Sequence, residues 1–194
     1  MYKFKLYKCL TIFFTLMLIC SLSLTAFAAE RTLGISRVQQ EKDNWCWAAC
    51  GEMIGTYVNS NSTEDQWSIV KEIKGTIFNQ YPDRGATDAE VEEAIEVGSA
   101  NTVNYTYNNS VRSFSNHQSD IDAGYPICVQ MQWSSSGKHV VVAAGYKTGT
   151  QNMLYLIDPW YDCDSAYYSY TTLKNGATIQ SGTGSYINSY YYAG

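Results

Sequence analysis

Gln40, Cys46, His139 and Asp158 have the side-chain types that acyl transfer uses. In Asn44-Trp45-Cys46-Trp47-Ala48-Ala49-Cys50 a thiol opens a segment whose pattern predicts a helix. The N-terminal end of a helix is positive, which favours thiolate over thiol. Gln40, six positions upstream, is expected to donate its side-chain amide to the oxyanion of a tetrahedral intermediate, beside the N–H of Cys46 itself. A nucleophile of this kind needs a base, and the chain holds two histidines. His139 opens Val140-Val141-Val142-Ala143-Ala144-Gly145-Tyr146, a β-branched run that predicts a buried strand holding the ring rigidly. His117 lies among Ser113, Ser115, Asn116, Gln118 and Ser119, which predicts a solvated loop. Asp158 closes the run Met153-Leu154-Tyr155-Leu156-Ile157, and Pro159 stops that strand. A carboxylate there would fix the His139 tautomer and stabilise the ring when charged. Trp160 would cover the bond between them and exclude water. Trp47 is expected to be a core or shielding residue.

Taken singly, each has a plainer reading: a small buried cysteine, a surface glutamine, a strand histidine, a turn-forming aspartate. Their joint order is what carries the chemistry.

The elements that must position them follow from periodicity. Helices are predicted over 46–58, over 64–74 with Trp67, Val70, Ile73 and Ile77 at helical intervals, and after Thr87, where Glu90 completes a capping box. Val91, Ala94 and Ile95 form the apolar stripe of that third helix. Strands are predicted over 102–107, 127–133, 139–146, 153–158, 166–171 and 186–191, with a short helix near 120–123. Helices followed by strands predict an α+β domain with a cleft between its halves, Cys46 on one side and His139 on the other.

Lys3, Lys5 and Lys8 precede an apolar run from Cys9 to Leu24, and Ala26-Phe27-Ala28 supplies the small residues of a cleavage site. Residues 1–28 therefore read as a secretory signal peptide, with an uncleaved membrane anchor as the alternative. Residues 29–194 then form one domain, exported and without stable membrane association. Losing the three lysines takes the net charge from −5 to −8, which argues against nucleic acid or an anionic membrane as partner. Cys46, Cys50, Cys128 and Cys163 remain; with Cys46 free, at most one bridge is expected, Cys50 with Cys163 being one pairing. Asp158, Asp162 and Asp164 crowd one loop but lack the glycine and bidentate glutamate of a calcium loop, and no Cys or His pair has zinc spacing, so neither metal nor other cofactor is expected. Between the cleavage site and Cys46 the sequence leaves no room for an inhibitory pro-domain, so a separate inhibitor protein is one expected means of control.

Gln40, Cys46-Trp47, His139, Asp158 and Trp160 together resemble the papain-like cysteine peptidases. The resemblance is to a small secreted bacterial branch, similar to bacteriocin-leader peptidases and a plant-pathogen effector protease, whose members commonly show Gln, then Cys-Trp-Ala, then His-Val-Val, then Asp-Pro. It runs from about Gln39 to Trp160. It implies a papain-like fold, an N-terminal helical half whose nucleophile helix packs on a C-terminal antiparallel sheet or half-barrel. It also implies hydrolysis of peptide bonds through a thioester, with Cys46, His139 and Asp158 catalytic, Gln40 in the oxyanion hole, and a peptide or protein as substrate. Asp43-Asn44-Trp45 replaces the plant-type Cys-Gly-Ser, Asp158 replaces an asparagine, and the 93 positions from Cys46 to His139 fall short of the plant enzymes' interval of ~130. Substrate pockets of the larger enzymes therefore do not transfer. A catalytically inactive binding or effector module and a transamidase with the same nucleophile are the other classes compatible with these residues.

Overall fold

The uninterrupted apolar run after His139 is buried on both faces. The computed structural model, which describes residues 28–194 apart from Asn79, places the run in β4 (Lys138–Lys147), central in an antiparallel sheet. A half-solvated antiparallel strand alternates apolar and polar; one covered on both sides does not. The export signal expected over 1–28 lies, but for Ala28, outside the described residues.

The sheet is built from β1 (Glu30–Thr32), β2 (Tyr105–Asn108), β3 (Ile127–Trp133), β4, β5 (Met153–Ile157), β6 (Ala166–Ser169), β7 (Ala177–Ile179) and β8 (Gly182–Tyr192). Its order is β2-β8-β3-β4-β5-β6, with β1 added to β4 and β7 to β8. Val140, Val142 and Ala144 share one core with Cys128 and with α1 (Cys46–Val58), α2 (Gln66–Lys74) and α3 (Asp88–Gly98). Val141 and Ala143 turn the other way, to Val129, Met131 and the helices α4 (Phe114–Ala123) and α5 (Tyr170–Asn175). The helices come before most of the strands, as the α+β expectation has it.

Helix α1 meets α3 backbone to backbone. A Cβ placed on Gly55 would stand 2.0 Å from the carbonyl carbon of Gly98, so this crossing tolerates no side chain. The predicted capping box is present at α3, where Thr87 accepts from the Glu90 N–H and Glu90 accepts from the Thr87 N–H. Asp65 and Ser68 build another at α2.

Four expectations need correction. Helix α4 begins at Phe114, ahead of the 120–123 expected, because Ser113 caps it by accepting from the Asn116 N–H. His117 is therefore not in a solvated loop but is fully buried, since Phe114, His117 and Ile121 share the inner face while the polar neighbours form the outer one. The strand expected over 166–171 stops at Ser169, which caps α5 instead. The short strands β1 and β7 have no sequence signal of their own, and β8 starts before the expected 186. Among the described residues no helix is long and apolar enough to cross a membrane.

Candidate active site

Cys46 is the first residue of α1, and the residue before it, Trp45, offers no side-chain cap. The first N–H groups of a helix have no partner within it, so the positive end stays directed at the thiol. Trp45 and Trp47 are buried and donate their indole N–H groups to the carbonyls of Pro82 and Arg84, each at 3.0 Å. That anchors the segment whose Gly85 and Ala86 wall the cleft. Upstream, the buried Gln66 donates to the Gln39 carbonyl at 3.0 Å and accepts from the Glu41 N–H at 2.9 Å. The Gln40 N–H donates to the Pro159 carbonyl at 2.8 Å, and the Arg37 side chain donates to the carbonyls of Asp158 and Trp160. These bonds fasten the approach to α1 to the segment that carries Asp158.

His139 Nε2 lies 2.8 Å from Asp158 Oδ1. With Nε2 committed there, Nδ1 is the nitrogen left for Cys46, which lines the same cleft. The Trp160 N–H donates to the same Asp158 oxygen at 3.0 Å, and the Ser181 hydroxyl donates to Oδ2 at 2.5 Å. Those three donors hold the carboxylate in place against His139. The Trp160 ring stands edge-on to the imidazole at 6.1 Å. Trp133 covers it in a stack, centroids 5.4 Å apart and planes 20° from parallel. The indole of Trp133 in turn needs the bare floor of β8, where a Cβ on Gly184 would stand 2.8 Å from the ring.

Burial opposes charge on both reacting groups, and the partners overcome it. Burial alone would raise the Cys46 pKa, yet the hydrogen bond and charge of His139 hold it below the ordinary thiol range. Burial alone would lower that of His139, yet Asp158 and Cys46 push it from 6.5 up to about 10. Both shifts favour a thiolate and imidazolium pair. The other perturbed thiols move the opposite way: burial and the adjacent Cys128 raise Cys50, and burial pushes Cys163 up to about 11. All four described cysteines are free, and the neighbour of Cys50 is Cys128, not Cys163.

The structure brings Cys46, His139, Asp158 and Trp160 together but disposes Gln40 otherwise than expected. Its Nε2 donates to the carbonyls of Lys42 at 2.8 Å and Asp43 at 2.9 Å, leaving Oε1 buried without a partner. Exchanging the two ends of the amide would set oxygen against two carbonyls, so the orientation is fixed. In this geometry Gln40 shapes the Lys42–Asp43 turn, and it would reach an oxyanion only by releasing one carbonyl. Trp133 and Ser181 were not expected; they come from β3 and from the turn before β8, and neither has a local sequence signal. His117 lies elsewhere, its Nε2 3.0 Å from the Tyr186 hydroxyl, and burial lowers its pKa to about 3.

The cleft beside Cys46 and His139 has a volume of about 490 Å³, with Trp47, Trp133 and Trp160 among its walls. A thiol, a base and an uncapped helix terminus facing one such cleft are equipped to attack a carbonyl and hold the resulting oxyanion.

A family described as "Peptidase_C39 like family" matches residues 32–193. Among solved structures, UfSP from C. elegans is similar, with 11% identity and a TM-score of 0.48. The likeness covers 88% of this chain and 35% of that one, so this chain spans about a third of that protein's length. No curated protein matches in sequence.

Proposed function

The chain belongs to the Peptidase_C39 like family, and from that premise we propose that it hydrolyses peptide bonds with Cys46 as nucleophile, His139 as acid and base, and Asp158 as orienting carboxylate. The family match bears out the resemblance to papain-like cysteine peptidases. The observation that supports the assignment of residues is that Cys46, at the uncapped start of α1, and His139, held by Asp158 at 2.8 Å, line one cleft.

The thiolate of Cys46 attacks the substrate carbonyl, forming a carbon–sulfur bond while the carbonyl electron pair moves to oxygen. The Cys46 N–H stabilises that oxyanion, a donor of the kind worth about 3 kcal/mol in comparable sites. His139, charged, gives its proton to the departing amine and leaves a thioester. It then takes a proton from water, which attacks the thioester and returns the thiolate and imidazolium pair. Asp158 keeps the ring oriented throughout, and Trp133 with Trp160 keeps bulk water from it.

Secretion belongs to the same proposal and rests on residues 1–28. N-terminal sequencing of the extracellular protein should begin at Ala29; retention of Lys3–Lys8 would mean an anchored protein. For the chemistry, a peptide-library digest should show cleavage by the native protein and none by Cys46→Ala. Iodoacetamide at about pH 6 should label Cys46 ahead of the other thiols, because only a depressed pKa supplies thiolate there. Equal, slow labelling of all thiols would point instead to a binding module without catalysis.

A further inference from the structure

Beyond the reacting groups, the cleft is lined by a buried amide that the proposed chemistry leaves without a role. Gln130 of β3 is 2% exposed and lies in the cleft wall. Its Nε2 donates to Asp88 Oδ1 at 2.9 Å and to the Tyr190 hydroxyl at 3.0 Å. Asn188 Nδ2 donates to its Oε1 at 2.7 Å, and the Tyr190 hydroxyl closes the ring by donating to Asp88 at 3.0 Å. Every donor of Gln130 is therefore spent, and what remains is one lone pair on Oε1. With both N–H groups spent, an acceptor is all that this side chain has left to offer a ligand in the cleft.

The rim has the opposite character. Lys138 also lines the cleft, and its ammonium reaches Asp88 at only 3.5 Å while 45% of the side chain stays exposed. Such a pair is weak and its lysine is free to turn. Ala86, Val91 and Val140 supply the apolar wall between. An acceptor at the base, a cationic donor at the rim and a short apolar wall complement a neutral carboxamide: its NH₂ donates to Gln130 and its carbonyl accepts from Lys138. A cationic side chain would meet Lys138, and a carboxylate, although one oxygen could pair with Lys138, would set the other against the Gln130 lone pair.

We infer that this part of the cleft is a subsite for a glutamine or asparagine side chain of the substrate, read by Gln130 and Lys138. The inference rests on the peptidase reading of the adjacent Cys46. A position-scanning peptide library tests it on the full protein. At one position next to the cleaved bond, Gln or Asn should exceed Leu and Glu by about tenfold in kcat/KM, the scale of one to two hydrogen bonds. Gln130→Leu should remove that preference and raise cleavage of the Leu peptides, and Lys138→Met, on the surface and harmless to folding, should cut the preference severalfold. Cleavage by the native protein with no amide preference overturns the subsite and leaves the peptidase standing. If nothing is cleaved, binding to Cys46→Ala decides separately: tryptophan fluorescence that saturates with Gln peptides and not with Leu peptides supports the subsite without the chemistry, and equal or absent binding removes both.

Discussion

Replacing Asp158 by asparagine isolates the charge from the geometry. The asparagine oxygen can still accept from His139 Nε2 and from the Trp160 N–H, which together fix its orientation, and the Ser181 hydroxyl can turn from donor to acceptor. The ring keeps its tautomer. What is lost is the charged member of a 2.8 Å hydrogen bond. Bonds to charged groups contribute about 1.5 to 3 kcal/mol and neutral ones about 0.5 to 1.5, so the loss is on the order of 1 to 2 kcal/mol. At 1.36 kcal/mol per pKa unit, His139 should drop by roughly one unit. The thiolate and imidazolium pair exists between the lowered pKa of Cys46 and the raised one of His139, so activity should decline at high pH as His139⁺ loses its proton. That alkaline limb, near pH 10 in the native protein, should move to lower pH by about a unit in Asp158→Asn, with kcat/KM at neutral pH reduced about 5- to 30-fold. Profiles of kcat/KM against pH, with the pH dependence of Cys46 alkylation as a second readout, measure both. An alkaline limb that stays in place, whatever the loss in rate, would refute the claim that Asp158 acts by stabilising the imidazolium.

Trp133→Leu should lower the alkaline limb in the same sense, because a stacked ring supports a cation by about 0.5 to 2 kcal/mol, while Trp133→Phe should restore most of it; a fall in rate with an unmoved pH profile would reduce Trp133 to a wall. His117 is neutral in the fold down to about pH 3 but protonates near 6.5 when unfolded. The unfolded chain thus binds one more proton between those values, and stability falls as the pH drops through them. In His117→Gln, urea midpoints taken from about pH 6.5 to 4 should fall less steeply, by up to about 1.4 kcal/mol per pH unit; parallel slopes would place the acid sensitivity elsewhere. Gly55→Ala should destabilise by about 1 to 3 kcal/mol in urea unfolding, since its Cβ would fall within the Gly98 carbonyl; a neutral effect would mean that α1 and α3 separate freely.

Cys46, His139 and Asp158 were legible because each stands at an element boundary with a local signal: a helix start, the head of a β-branched run, a strand stopped by proline. The capping box of α3 was legible for the same reason. His117 was misread because its serine and asparagine neighbours look like a loop, and only the period that joins Phe114, His117 and Ile121 shows an inner face. Gln40 could be found by its distance from Cys46 but not its use, which the Lys42 and Asp43 carbonyls decide. Trp133, Ser181 and Gln130 were out of reach, because their partners lie on strands brought alongside only by sheet register.

That register has one irregularity that matters for the cleft. Gln130 pairs with Asn188 and Met131 with Tyr186, so Ile187 is an extra residue bulged from β8. A strand alternates faces residue by residue, and one inserted residue reverses the faces beyond it. On one side of the bulge Asn188 and Tyr190 face the helices, where they hold the Gln130 amide at the cleft. On the other side Gly184 and Tyr186 face the opposite layer, that of α4 and α5, and there Gly184 gives Trp133 room to lie on His139. A regular β8 could serve only one of these tasks, since Gly184 and Asn188 would then share a face. The bulge lets a single strand support the base from one side of the sheet and line the cleft from the other.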